Sequence, residues 1–387
     1  MTVGILFGVF LLGAGSLLYA LNADDTQIDF ALLTVSFLYL MGISQGAIVF
    51  CAIMRLVGAQ WSKPYYRLAE LFSLSFAPLA ILTFLLIFFF AQDDLFYWVS
   101  HGAEESPDHH LSPWLNSNWL LVRNLVGLLL FYGLSTIYAL KSLRPDLADA
   151  SGEKGNINYQ KAERELYLLS PFIILSFVLC NTLFAWDFGM MLIEHWHSTI
   201  FPILFAFGSL FGGTASLVFL VAIPGRFDVT SSYFGRDQVK NLGMLLTGFT
   251  LLWLYFFWAQ FFVVWFGNLP RETDALWPQM YGHYAPYFWA MMTGCVFLPF
   301  VALLFAVVKR SVLAMTVLAC SINLGIWLHR YLTVVPVFSP DDQAFDEWLD
   351  VILAAGLLAG SLAVFLVLSR RLPIYAYWEI ARGTPQK

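Results

Sequence analysis

Between Trp186 and Phe201 the chain reads Trp-Asp-Phe-Gly-Met-Met-Leu-Ile-Glu-His-Trp-His-Ser-Thr-Ile-Phe. The stretch holds a carboxylate at Asp187 and two imidazoles, His195 and His197, on either side of Trp196. It interrupts two long apolar segments. Polar groups this close to hydrocarbon are costly unless they are paired, hydrated or used. Carboxylates and imidazoles accept and release protons, so the chemistry on offer is acid–base work at a membrane edge.

Other polar residues fall where they could join them. Arg123 lies at a depth similar to Asp187 on a neighbouring apolar segment. The two make either a proton acceptor with its charge partner or a structural ion pair locking two helices. Asn323, Trp327 and Arg330 share one helical face, with His329 beside them. Arg330 either neutralises a carboxylate such as Glu272 or Asp187 or snorkels to the interface. Thr247, Thr250, Tyr255 and Gln260 interrupt an aromatic run, as a polar path for protons or as helix-to-helix hydrogen bonds. Trp186 and Trp196 also suit an interfacial belt. Ser198 or Thr199 is a plausible N-cap for the next helix, with Pro202 tolerated in its first turn.

The elements that must position these groups are membrane helices. The chain has 387 residues, 59% hydrophobic and only 12% charged, against about a quarter charged in soluble domains. Ten apolar runs are long enough to cross hydrocarbon about 30 Å thick. They cover approximately residues 2 to 21, 28 to 54, 69 to 91, 117 to 140, 165 to 192, 199 to 223, 241 to 267, 286 to 308, 311 to 334 and 347 to 369. The first run lacks the basic flank of a signal peptide and is expected to be a retained helix. The expected fold is an all-α integral membrane protein. Helices two to five and six to nine form two four-helix bundles, and helices one and ten flank them. This divides the chain into 1–27, 28–198, 199–334 and 335–387. A weak internal repeat supports the division: Gly42 and Gly46 in helix two are echoed by Gly208 and Gly212 in helix six. Gly356 and Gly360 in helix ten show the same spacing, so chance is the alternative. The inner loop from Lys141 to Arg164 is expected to hold only a short surface helix.

Charge orients the bundle. Of the 20 Lys and Arg, all but Arg123, Arg271 and Arg330 fall in one alternate set of loops and the C-terminal tail. By the positive-inside rule that face, with both termini, is cytoplasmic. The opposite face is acidic and carries all seven histidines. It includes Asp93, Asp94, His101, Glu104, Glu105, Asp108, His109 and His110 in one loop, and His283 in another. No nucleotide-binding loop or soluble domain is present, and nucleic acid is not an expected partner.

The four cysteines, Cys51, Cys180, Cys295 and Cys320, sit in apolar runs without metal-site spacing. Helices two to eight have no interior histidine and His329 has no partner at its depth, which argues against bis-histidine haem. Oxidation of a quinol at a membrane face needs acceptors for two protons near the ring oxygens, a role that suits Asp187 and the histidine turn. A surface role for His195 and His197, against a partner protein, stands beside it.

Three ordered motifs carry a resemblance. They are Asp187 followed by His195-Trp196-His197-Ser198-Thr199-Ile200-Phe201; Trp258-Ala-Gln260 through Trp265-Phe-Gly-Asn268-Leu-Pro270-Arg-Glu272-Thr273; and Asn323-Leu-Gly-Ile-Trp327-Leu-His329-Arg330-Tyr331. Together they resemble the NrfD-like, polysulfide-reductase membrane-subunit family and, within it, the ten-helix ActF type of bacterial alternative complex III. The resemblance implies a multi-pass subunit of the bacterial inner membrane, in a respiratory quinol:acceptor oxidoreductase, with the histidine-rich face periplasmic. It implies no cofactor bound covalently or by metal ligation, menaquinol as substrate, and haem and iron–sulfur clusters held by partners. Those partners would be multihaem and monohaem cytochrome c subunits, an iron–sulfur molybdopterin-like subunit and a second NrfD-like subunit. The expected roles are proton transfer at Asp187, His195 and His197; quinol binding or charge pairing at Arg123, Arg330, His329 and Trp196; and a proton path, serving proton translocation, through Tyr255, Gln260, Glu272 and Thr247. The alternative is a structural anchor without a quinol site of its own.

Overall fold

A computed structural model describes residues 2–22, 30–100, 113–151, 158–194, 196–222, 235–338 and 348–383. Among them, ten helices are long and apolar enough to cross a membrane. They are α1 (Thr2–Asn22), α2 (Ala31–Leu56), α3 (Lys63–Leu95), α4 (Ser117–Ser151), α5 (Tyr159–Asp187), α6 (Phe201–Ala222), α7 (Arg236–Gly267), α8 (the span Gly282–Leu304), α9 (Val312–Phe338) and α10 (Trp348–Arg371). Short helices at Pro270–Met280 and Tyr377–Gly383 lie outside the spans. Over the described residues the protein is therefore an all-α membrane protein with ten spanning helices.

Packing follows two similar rings. α2 touches α3 and α5, while α4 touches α3 and α5; α6 touches α7 and α9, while α8 touches α7 and α9. The rings meet where α2 crosses α6. In lipid there is no hydrophobic force between apolar helices, so close backbone approach must supply the attraction. Glycine permits that approach: a β-carbon on Gly46 would stand 2.2 Å from the Ser209 carbonyl oxygen, and one on Gly213 would stand 2.5 Å from the Ala47 nitrogen. This central crossing buries almost the whole of α2, polar Ser36, Ser44 and Gln45 included. α10 packs on α2 and α3, and α1 packs on α10 where Gly13 meets Gly356. The glycine echo is only partly a shared contact. Gly42, Gly46 and Gly212 serve the crossing, whereas Gly208 faces Trp253 and Arg330.

An asparagine ties the last helix of each ring to its first. Asn181 in α5 donates to Gln45 Oε1 in α2 at 2.7 Å. In α9, Asn323 accepts from Ser216 of α6 at 3.0 Å and from Tyr39 of α2 at 3.0 Å.

Several spans differ from the hydropathy reading. α3 begins at Lys63, ahead of the expected residue 69, because Arg67 and Glu70 are buried as a pair at 2.8 Å and the helix continues through them. The loop after Lys141 is not a surface helix. α4 runs on to Ser151 and α5 starts at Tyr159, the two joined by a Lys141–Glu165 ion pair and by Tyr159 donating to Asp149 at 2.6 Å. α8 stays helical from Ala285 to Leu304 through a π-helical turn at Thr293–Phe297, and stops short of the expected residue 308 where the chain is extended at Phe305. That turn brings Cys295 against Gly325 of α9.

At the basic face the charges form a buried cluster. Arg55 bonds Glu379 at 2.6 Å and Glu70 at 3.1 Å, and Arg67 bonds Asp146 at 2.6 Å. The short helix Tyr377–Gly383 is thereby docked onto α2, α3 and α4, with the Trp378 indole donating to the Ser142 carbonyl at 3.0 Å.

Candidate functional site

At the acidic face α5 ends on Asp187, and the chain turns under the start of α6. Gly189 makes the turn possible: a β-carbon there would come within 2.4 Å of the Phe201 ring and 2.7 Å of the Ala185 carbonyl. Trp196 is buried edge-on to Phe201 at 5.0 Å, which closes the corner. Ser198 caps α6, accepting from the Phe201 backbone N–H at 3.2 Å.

Asp187 is fully buried, and its two oxygens take four donors. Arg123 Nη2 donates to Oδ1 at 2.7 Å and Arg123 Nε to Oδ2 at 2.8 Å. Asn124 donates to Oδ2 at 2.5 Å and the Trp114 indole to Oδ1 at 3.1 Å. A carboxylate has about four lone-pair sites, so the group is saturated. Arg123 in turn donates to the Trp114 carbonyl at 2.7 Å and lies 4.2 Å from the Trp114 ring centroid. Sequence reasoning named Arg123 and Asp187 and missed Trp114 and Asn124. Asn124, next to Arg123 in an apolar run, was a usable signal; Trp114, in a loop, offered none.

Beside this pair lies a cavity of about 670 Å³ between the turn, α6, α7 and the Leu269–Glu272 corner. Its apolar wall includes Trp186, Ile203, Val263 and Val264, and its polar lining includes His197, Ser198, Gln260 and Glu272. Ser198 Oγ donates to Gln260 Oε1 at 2.5 Å, joining the turn to α7. The Trp186 ring meets Trp114 edge-on at 5.5 Å, so the cavity wall and the Asp187 group share a tryptophan pair. Nearby, burial first and the Glu194 charge second hold the Tyr97 hydroxyl above its ordinary pKa.

The remaining candidates disperse. His195 lies outside the described residues, as do His101, His109 and His110. Tyr255 is 61% exposed on the outer surface of α7, away from the buried Gln260. Thr247 donates to its own helix at Gly243. Arg330 is fully buried in the second ring and, among the described residues, pairs with neither Glu272 nor Asp187. Its Nη2 donates to the Phe205 carbonyl at 2.7 Å and to Ser209 Oγ at 3.1 Å. Asn323 and Trp327 turn instead toward Tyr39 and Ser36 of α2. Among the described residues no three His, Cys, Asp or Glu side chains converge as metal ligands.

The chain is 29% identical over 153 residues to a subunit of the selenate reductase of Mesobacillus selenatarsenatis, a stretch covering 39% of this chain and 34% of that protein. The match thus spans about a third of the relative's own length. The three motifs all lie inside residues 20–339, the region matching the family model described as polysulphide reductase, NrfD, and the chain belongs to that family.

Proposed function

We propose that the chain is the integral membrane subunit of a quinol:acceptor oxidoreductase of the alternative-complex-III type, and that the cavity beside Trp186 receives the headgroup of a menaquinol. The observation that carries this reading is the cavity's make-up: apolar walls open a path for a lipid-soluble ring, while His197, Ser198, Gln260 and Glu272 offer polar atoms to its oxygens. Oxidation of a quinol releases two protons and two electrons. His197, exposed, and Glu272, half-buried, would take the protons, and Ser198 with Gln260 would hold a ring oxygen. The electrons would pass to an iron–sulfur or haem group of a partner seated on the acidic face. That face would be periplasmic in a bacterial inner membrane. On this reading the partners are an iron–sulfur molybdopterin-type subunit, multihaem and monohaem cytochromes c and a second NrfD-like subunit.

A Gln260→Leu variant of the assembled complex tests it. The reading expects the quinol KM to rise and a photoreactive quinone to lose its label on residues 197–203 and 260–272. Unchanged quinol kinetics, or label found only on another subunit, would remove the site from this chain.

One observation favours a second reading, a structural anchor without a quinol site. Asp187 is saturated by donors inside the protein and does not line the cavity, which is the geometry of an ion pair that locks helices.

A further inference from the structure

The cavity beside Trp186 changes character with depth. Nearest the acidic face its lining is polar, with Glu272, His197 and the bonded pair of Ser198 and Gln260. One turn further into the membrane the side chains are apolar. α6 presents Ile203, then Ala206 and Phe207, and α5 presents Val178 and Leu179 below the cavity-lining Thr182.

The cavity also opens sideways. Ile203 and Val263 line it, yet they are 51% and 58% exposed, and in a membrane helix exposure means contact with lipid. Val178 and Leu179 face the same surroundings. The opening does not run the length of the bilayer. α6 is accessible at Ile203, Ala206 and Phe207 and buried from Gly208 to Val218. The Phe207 ring meets Phe249 and Phe256 of α7 at 5.3 and 5.7 Å, which closes α6 onto α7. What remains is a cleft in the half of the bilayer next to the acidic face, with a polar head at one end and an apolar foot at the other.

That order of surfaces suits an amphiphile lying head toward the acidic face. None of the described lining residues is a lysine or arginine, and Glu272 is among them, so the phosphate of a phospholipid would meet a like charge without a counter-charge. A water-soluble molecule would leave the apolar length unused. We propose that the cleft is the track of an isoprenoid tail. With the quinol ring held at Ser198 and Gln260, the first isoprene units lie over Ile203, Ala206 and Phe207, and the rest leaves past Val178 and Leu179 into lipid. This rests on the quinol reading of the cavity and adds the residues that distinguish a prenylated quinol from a tail-less one.

The test measures how menaquinone, and menadione as the same ring without a tail, displace a trace photoreactive quinone from the assembled complex in nanodiscs of fixed lipid content. Ala206→Phe fills the cleft below the ring. It should raise the menaquinone concentration for half-displacement roughly tenfold, as for about two CH₂ groups losing their contact, and leave menadione unchanged. Gln260→Leu should weaken both. A menaquinone with its photoreactive group on the second isoprene unit should label residues 203–207 or 178–182 of the unmodified chain, a result that does not depend on the variant assembling. Ala206→Phe weakening both quinones alike or neither, while Gln260→Leu weakens both, would overturn the track and leave the headgroup site standing. A tail label found elsewhere would do the same. Gln260→Leu without effect on either quinone would remove the headgroup site, and the track with it.

Discussion

Arg123 and Asp187, 64 residues apart in the chain, meet in a two-point pair of 2.7 and 2.8 Å beneath the acidic face. Planar guanidinium and carboxylate match each other in this geometry, and Asn124 and Trp114 occupy the sites that remain. α4 and α5 are thus fixed at the end that shapes the cavity wall.

Removing one member of a buried pair leaves the other charged and unpaired, which costs about 3–5 kcal/mol. Asp187→Asn and Arg123→Gln should therefore each lower the unfolding midpoint and the yield of assembled complex. The double variant should recover part of the loss. The rival outcome is Asp187→Asn with a wild-type midpoint and reduced quinol turnover, which would make the carboxylate a proton acceptor rather than a lock.

Ser198 has two tasks, capping α6 and holding Gln260. Loss of a serine cap costs about 1 kcal/mol, too little to unfold a ten-helix bundle. Ser198→Ala should assemble normally and show its effect in the quinol KM through a released Gln260. Normal kinetics in that variant would sever the Ser198–Gln260 bond from substrate binding.

The α2–α6 crossing has no slack at two glycines. Any side chain on Gly213 meets backbone of α2, and one on Gly46 meets backbone of α6, and backbone cannot turn aside. Gly213→Val and Gly46→Leu should abolish assembly. Gly133→Ala is the control, since nothing lies within 4 Å of a β-carbon there. Recovery of folded Gly213→Val from membranes would show that the two rings are not held together by this crossing.

Hydropathy was enough for the ten crossings, because every span must satisfy its backbone internally and be apolar for about 20 residues. It misplaced ends where charges are neutralised by neighbours. Lys63 to Leu68 reads as a polar loop, yet Arg67 there is buried against Glu70. Faces were harder to read than spans. α7 is apolar nearly all round, so nothing in the sequence set the lipid-exposed Tyr255 and Trp258 apart from the buried Trp253 and Gln260. Arg123 and Asp187 were legible because isolated charges in apolar runs at matching depth must find each other. The partner of Arg330 was sought among carboxylates by the same logic, and the helix carbonyl it bonds carries no sequence signal.

The least legible feature supplies the last prediction. Glu379 lies 324 residues from Arg55, and the short helix that carries it lies on the basic face with Trp378 bonded to Ser142 and Asp146. Arg55 keeps Glu70 at 3.1 Å when Glu379 is removed, but loses its shorter contact at 2.6 Å, and the side chains involved are nearly inaccessible. Glu379→Ala should therefore lower the unfolding midpoint and admit protease at the junction after Arg371. Salt separates a buried pair from a surface one. Exposed ion pairs contribute about 0–1 kcal/mol and weaken as ionic strength rises, whereas buried ones are screened far less. The difference between Glu379→Ala and wild type should persist from low to high salt. A gap that closes at high salt would mean that the tail only rests on the surface, held by charges that water already reaches.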